Sequence, residues 1–137
     1  HRHEVSLFAD AKSVLTYLRQ RYQIGALTNG NADVRKTEIG KHFDFAWRAE
    51  EFGVSKPHPA FFHAAFAQAG VTPEEVLHIG DCHLNDVDGA VAAGARAIWL
   101  KPEGGVSDIA SEVIPSLSDL PNAIERLVGS RGRTKQP

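Results

Sequence analysis

Three short apolar runs set the strongest limit on what this chain can fold into. They are Gln23-Ile24-Gly25-Ala26-Leu27, Val76-Leu77-His78-Ile79 and Ala95-Arg96-Ala97-Ile98-Trp99-Leu100. Each has strand length and is followed by Gly, Asn, Asp or Pro punctuation, the pattern of strands buried on both faces. Helical periodicity fills the intervals. Ala11, Val14, Leu15, Leu18 and Tyr22 recur at helical spacing after a candidate N-cap, Asp10. Phe62, Ala65, Phe66 and Ala69 do the same in a segment that opens at His58-Pro59 and stops at Gly70. A third helix is expected over 85–93, ending at Gly94. A fourth is capped by Ser118, carries Leu120, Ala123, Ile124, Leu127 and Val128 on one face, and stops at Gly129. Strands alternating with helices imply an α/β fold whose parallel sheet is covered on both faces. Phe43-Asp44-Phe45-Ala46-Trp47 and Val113-Ile114 are candidates for further strands. Residues 1–129 read as the folded core. Residues 130–137, basic and without apolar anchors, read as a flexible tail.

Composition narrows the function classes. A length of 137 residues suits one domain, and 42% hydrophobic with 23% charged residues is ordinary for a globular chain. The formal charge of −2 argues against a protein built to grip nucleic acid or an acidic membrane. One cysteine makes no internal disulfide. No apolar run approaches the roughly 20 residues needed to span a bilayer, and no secretory leader opens the chain. A soluble, cytoplasmic protein is therefore expected. The sequence contains no methionine, even at position 1, which leads us to expect a piece of a longer product.

In open α/β sheets ligands sit beyond the carboxyl ends of the strands, so the residues just after each run are the candidates for chemistry. The first run leads into Thr28-Asn29-Gly30-Asn31. Thr28 can donate to an anionic oxygen, Gly30 allows close backbone approach, and a following helix start adds N–H groups. Taken alone, the segment is better read as a plain turn with a helix cap. The second run leads into Gly80-Asp81-Cys82-His83-Leu84-Asn85-Asp86-Val87-Asp88-Gly89-Ala90. Asp81 at the strand end and Asp86 five residues on can turn toward one another, and such oxygen donors suit Mg²⁺. Asp88 is better read as a charge favouring a helix start. Between the two lies Val54-Ser55-Lys56-Pro57-His58-Pro59, a stiff loop able to aim Lys56 at a fixed point, though a surface lysine is the plainer reading.

Thr28, Lys56 and Asp81 occur in an order that resembles the haloacid dehalogenase superfamily of hydrolases, most of which are Mg²⁺-dependent phosphatases. Leu27-Thr28-Asn29-Gly30 looks like its phosphate-binding second motif, Lys56 like the lysine of its third, and Gly80-Asp81 through Asp86 to Gly89-Ala90 like its acidic fourth motif. The resemblance runs from about Leu7 to Leu127. It implies a three-layer α/β/α Rossmann-like core. It also implies hydrolysis of a small phosphorylated metabolite through an aspartyl-phosphate. Thr28, Asn29 and Gly30 would hold phosphate with Lys56, which also balances charge as the catalytic lysine, and Asp81 with Asp86 would ligate Mg²⁺.

The family's first motif, Asp-x-Asp followed by Thr or Val at the end of a first strand, has no counterpart in residues 1–23, where Asp10 is the only aspartate. Nor is there a cap domain. The chain is therefore expected to be the rear part of a family member, inactive alone for want of the nucleophile, with weak or no Mg²⁺ binding. In the family that first strand lies between the strands ending at Thr28 and Asp81. Without it their edges must pair directly, recruit another copy or the missing N-terminal segment, or aggregate. A non-catalytic phosphate-binding or subunit-assembly module is the alternative from another class, and a 2-haloacid dehalogenase the alternative chemistry.

Other features carry less. The histidines lack zinc-like pairing, and His78 reads as a hydrogen-bonded interior residue. Cys82 reads as a loop filler. Lys101-Pro102 is similar to a feature of signalling receiver domains, but there the acidic residues precede the threonine and here Thr28 comes first. Trp47 and Trp99 read as packing residues.

Overall fold

The computed structural model describes residues 2–29 and 38–135, with side chains over 11–29 and 40–129. Among the described residues five strands, all paired in parallel, alternate with helices. Strand β1 (Gly25–Thr28) pairs with β2 (Phe45–Arg48), Gly25 opposite Phe45 and Thr28 opposite Arg48. A Cβ at Gly25 would meet the Phe45 ring, so the glycine lets the two strands close. Strand β3 (Leu77–Gly80) pairs with β4 (Arg96–Leu100), and β4 with β5 (Glu112–Ile114). The three strong runs and both candidate strands are thus strands in the structure.

Helices cover both faces. Along β4 the period-2 alternation is explicit. Ile98 and Leu100 pack with Val14 and Leu18 of helix α1 (Arg2–Arg19) and with Ala123 and Ile124 of α5 (Leu120–Lys135). Ala97 and Trp99 pack on the other side with Phe62 and Phe66 of α3 (Pro59–Ala69) and Ala90 of α4 (Gly89–Ala92). A four-residue helix, α2 (Ala49–Phe52), links β2 to the lysine loop. The result is the three-layer α/β/α arrangement that the alternation implies. Among the described residues no helix is long and apolar enough to cross a membrane.

Helix ends show where local chemistry decided and where it did not. Helix α3 begins as read. His58 Nδ1 accepts from Ala60 N–H at 3.1 Å, Pro59 takes the first helical position, and Gly70 closes the helix at φ 73°. Gly94, at φ 98°, ends the segment after α4. Four expectations need correction. Helix α1 already runs from Arg2, so Asp10 lies within it and not at its start. Leu7, four residues before Ala11, continues the apolar period and outweighs the capping tendency of one aspartate. Tyr22 falls after the helix and is exposed. Helix α5 is preceded by a 3-10 turn, Leu117–Asp119, capped by Ser116, whose Oγ accepts from Ser118 N–H. It passes through Gly129 to Lys135, because that glycine does not take the left-handed φ that ends a helix.

The strands ending at Thr28 and Asp81 do not pair with one another. They belong to separate sheets, β1-β2 and β3-β4-β5, with a gap between.

Phe62 has no exposed surface and joins the α3–α4 layer to His78 on β3, its ring edge-on at 5.1 Å between centroids. Phe62→Ala is expected to cost about 3–5 kcal/mol. Urea unfolding checks this as a lower midpoint with an unchanged slope.

Candidate functional site

The site is built on the loops that leave β1 and β3. Strand β3 ends at Gly80, where any side chain would occupy the place of the Asp86 carboxylate. That glycine admits Asp86, which is delivered from a π-helical turn, His83–Asp88, and is only 4% exposed. The wider turn fits a residue whose side chain must fold back over the strand end. Asp86 Oδ2 accepts from the backbone N–H of Cys82 at 3.2 Å. Its Oδ1 accepts from Lys56 Nζ at 2.7 Å and from His78 Nε2 at 3.0 Å.

Lys56 reaches this point because its loop is clasped to the end of β1. The Asn29 carboxamide accepts from Lys56 N–H at 2.8 Å through Oδ1 and donates to Lys56 O at 3.0 Å through Nδ2. Lys56 Nζ also donates to Leu27 O at 3.2 Å. The loop then packs closely on the next element, since a Cβ at Gly89 would press on Pro57 and Phe62. The lysine is therefore half-buried and pinned, and the plain surface reading does not hold.

A buried carboxylate is costly unless paired and hydrogen-bonded. Burial alone pushes the Asp86 carboxyl up. The hydrogen bonds from His78 and Lys56, with their charges, outweigh burial and lower it from the ordinary 3.8 to about 2. Asp86 is thus an anion whose oxygens are already engaged.

Thr28, at the carboxyl end of β1, has a buried hydroxyl oxygen with no hydrogen-bond partner among the described residues. Asp81 follows β3 with its side chain exposed. Its carbonyl accepts from Trp99 Nε1 at 3.1 Å, and it borders the same cavity as Lys56 and Asp86. The structure therefore brings Thr28, Asn29, Lys56, Asp81 and Asp86 to one end of the fold. Gly30 lies outside the described residues. The Asn29 side chain is occupied in holding Lys56.

Two features were not legible as site features. His78 is the hydrogen-bonded interior residue expected, but nothing local in the sequence names Asp86 as its partner. The available signal was an ionisable residue within an apolar strand, two positions before Gly80. His83 was not singled out for a role. Its Nε2 lies 2.7 Å from Ser107 Oγ and its Nδ1 3.3 Å from Asp88 Oδ1, tying the acidic loop to the segment after β4. Ser107 Oγ also accepts from the N–H groups of Ile109 and Ala110, so it works as a turn cap.

As a Mg²⁺ site the donors present do not suffice. Among the described residues no three His, Cys, Asp or Glu side chains cluster to hold a metal. Asp86 is held by Lys56 and His78, which leaves Asp81 as a single exposed carboxylate where the ion needs near-octahedral oxygen coordination.

This fold, with its strand-end threonine, clasped lysine and acidic loop, is that of a hydrolase class recognisable by family. The chain belongs to the haloacid dehalogenase-like hydrolases, whose family model matches residues 2–94. It is 34% identical over 104 residues to the 5-amino-6-(5-phospho-D-ribitylamino)uracil phosphatase YigB of Escherichia coli K12, covering 76% of this chain and 44% of that protein. It is 35% identical over 112 residues to a phosphoserine phosphatase of Thermus thermophilus, covering 74% of this chain and 45% of the relative. The crystal structure of a 2-haloacid dehalogenase from Pseudomonas syringae superposes with a TM-score of 0.81 at 38% identity, over 88% of this chain and 54% of that one. The chain spans about half the length of the curated relatives it matches.

The Asp86 carboxyl is lower in the folded state than in the unfolded chain. Its stabilising contribution is therefore complete above about pH 4 and is lost as pH falls toward 2. Urea midpoints measured from pH 5 to pH 2 should show a decline that Asp86→Asn makes shallower. Calorimetric titration with MgCl₂ should show no binding tighter than the millimolar range, and a micromolar site would contradict the donor count.

Proposed function

We propose that this chain is the phosphate-binding half of a phosphoric monoester hydrolase acting on a small phosphorylated metabolite. The observation that carries the proposal is the buried Thr28 hydroxyl at the end of β1, which has no hydrogen-bond partner among the described residues, on the strand whose next residue, Asn29, clasps Lys56. A buried hydroxyl without a partner costs about 1–3 kcal/mol, and an anionic oxygen placed there recovers that cost. On this reading Thr28 and the backbone at Asn29 and Gly30 hold the phosphoryl oxygens. Lys56 supplies the positive charge, fixed in position by Asn29 and Asp86. The phosphoryl acceptor is an aspartate outside residues 1–137, and the intermediate an aspartyl-phosphate. Asp81 is the carboxylate available to a Mg²⁺ ion whose remaining ligands also lie outside this chain. The two phosphatase relatives support the phosphomonoester reading.

Asp86 already offsets the lysine charge, and Asp81 adds a negative one, so phosphate affinity in the chain alone should be weak. A second reading, dehalogenation of a 2-haloacid, is favoured by the Pseudomonas structure.

The test compares residues 1–137 with a full-length protein containing them. The full-length protein should hydrolyse phosphomonoesters with Mg²⁺, residues 1–137 alone should not, and Thr28→Val in the full-length protein should lower kcat/KM by about 100-fold or more. Release of halide from 2-chloropropionate without phosphoester hydrolysis would establish the second reading.

A further inference from the structure

Arg48 ends β2 directly opposite Thr28. Alternate residues of a strand project to opposite faces of a sheet, and residues paired across neighbouring strands project to the same face. Leu27 packs toward the α3–α4 layer. Its partner on β2, Trp47, lies against Phe52 and through it Phe61 of α3, on that same side. Thr28 and Arg48, one position further along each strand, therefore turn together to the other face. Both stand at the carboxyl ends of parallel strands, the end of the fold that carries Lys56 and Asp81. Two cations are thus anchored beside Thr28. Lys56 Nζ donates to the carbonyl of the preceding residue, Leu27, at 3.2 Å, and Arg48 starts about 5 Å away across the ladder.

The two cations differ in how their charge is met. The Lys56–Asp86 pair is only 11% and 6% exposed, and separating it would strand a charge away from water. Arg48 Nη1 meets Glu50 Oε1 at 3.2 Å, and Arg48 Nε lies 3.7 Å from Glu51 Oε1, both carboxylates belonging to the first turn of α2. The Glu51 oxygen also accepts from Arg48 N–H at 2.9 Å and so helps to start that helix. The Glu50 side chain is 60% exposed. A pair as open as Arg48–Glu50 is worth about 0–1 kcal/mol and exchanges readily with another anion. A guanidinium is a planar fork that binds carboxylate or phosphate through two parallel hydrogen bonds. Lys56 is therefore a fixed charge, while Arg48 is a charge whose partner can be replaced.

We propose that Arg48 is a specificity-determining residue. It binds a second oxyanion, a carboxylate or a further phosphate, on the substrate whose phosphoryl group sits at Thr28, and that group displaces Glu50. The proposal rests on the phosphomonoester hydrolase reading and narrows its substrate class to phosphomonoesters that carry another negative group. The exchange leaves the charge balance of the rim unchanged, since one carboxylate or phosphate takes the place of another. What the substrate gains is the second hydrogen bond of the fork, made by a group already tethered to the bound phosphoryl.

The test uses a full-length protein containing residues 1–137 and two matched substrate pairs. One is 3-phosphoglycerate against glycerol 1-phosphate, in which a hydroxymethyl group replaces the carboxylate. The other is 1,3-propanediol bisphosphate against propyl phosphate. The member with the second oxyanion should be preferred in kcat/KM, chiefly through a lower KM, and the pair that shows the preference tells carboxylate from phosphate. Arg48→Gln should cut that preference by about tenfold or more. Arg48→Lys should recover part of it, as a charge without the fork. Glu50→Gln, which removes the competing carboxylate, should increase it. If phosphomonoesters are hydrolysed but neither pair shows a preference, or the preference survives Arg48→Gln and ignores Glu50→Gln, this inference is overturned and the hydrolase reading stands. Equal losses on both members of a pair with a lowered Tm would overturn it too, marking Arg48 as a brace for α2. Failure to hydrolyse any phosphomonoester would overturn both readings.

Discussion

The arrangement depends on one buried ion pair. Lys56 comes from the β1 side of the fold and Asp86 from the β3 side, and they meet at 2.7 Å with both side chains largely shielded from water. No strand pairing joins those two sides, since β1 and β3 lie in different sheets. The pair, with His78 as the second donor to Asp86, therefore sets how the two strand ends face one another. Removing one member of such a pair is far worse than exchanging both for apolar groups. Without its donors, burial would push the Asp86 carboxyl upward.

That constraint explains several residues that touch no ligand. Gly80 leaves room for the carboxylate. Asn29 fixes the backbone of Lys56 with two hydrogen bonds, so the lysine arrives with little freedom left to lose. Gly89 lets the acidic turn settle on Pro57. His83 and Ser107 anchor the outer side of that turn. The site is thus held rigidly from behind while Asp81 stays exposed at the end of β3, the kind of fixed framework that positioning and electrostatic catalysis require.

Much of this could be read in the sequence. The strands were legible because buried parallel strands are apolar on both faces and end in punctuation, as Leu27-Thr28 and Gly80-Asp81 do. The order of Thr28, Lys56 and Asp81 located the site, because a parallel sheet places every strand's carboxyl end on the same side. What stayed hidden depended on contacts distant in sequence. Nothing near Asn29 signals that its amide spans 27 residues to clasp Lys56. His78 carried no sign of Asp86 as its partner. Local rules failed where a longer pattern outweighed them. Asp10 resembles a cap but sits within a helix whose apolar period begins earlier, and Gly129 resembles a stop but keeps a helical backbone.

The central claim is that Asp86 is an anion held by Lys56 and His78 where the two halves of the site meet. Carboxyl ¹³C NMR of residues 1–137, titrated from neutral to acid, tests it directly. The account predicts that the Asp86 resonance titrates near pH 2 and moves above the ordinary 3.8 in Lys56→Met. An Asp86 that titrates near 3.8 in the unaltered chain and does not respond to loss of the lysine would contradict it.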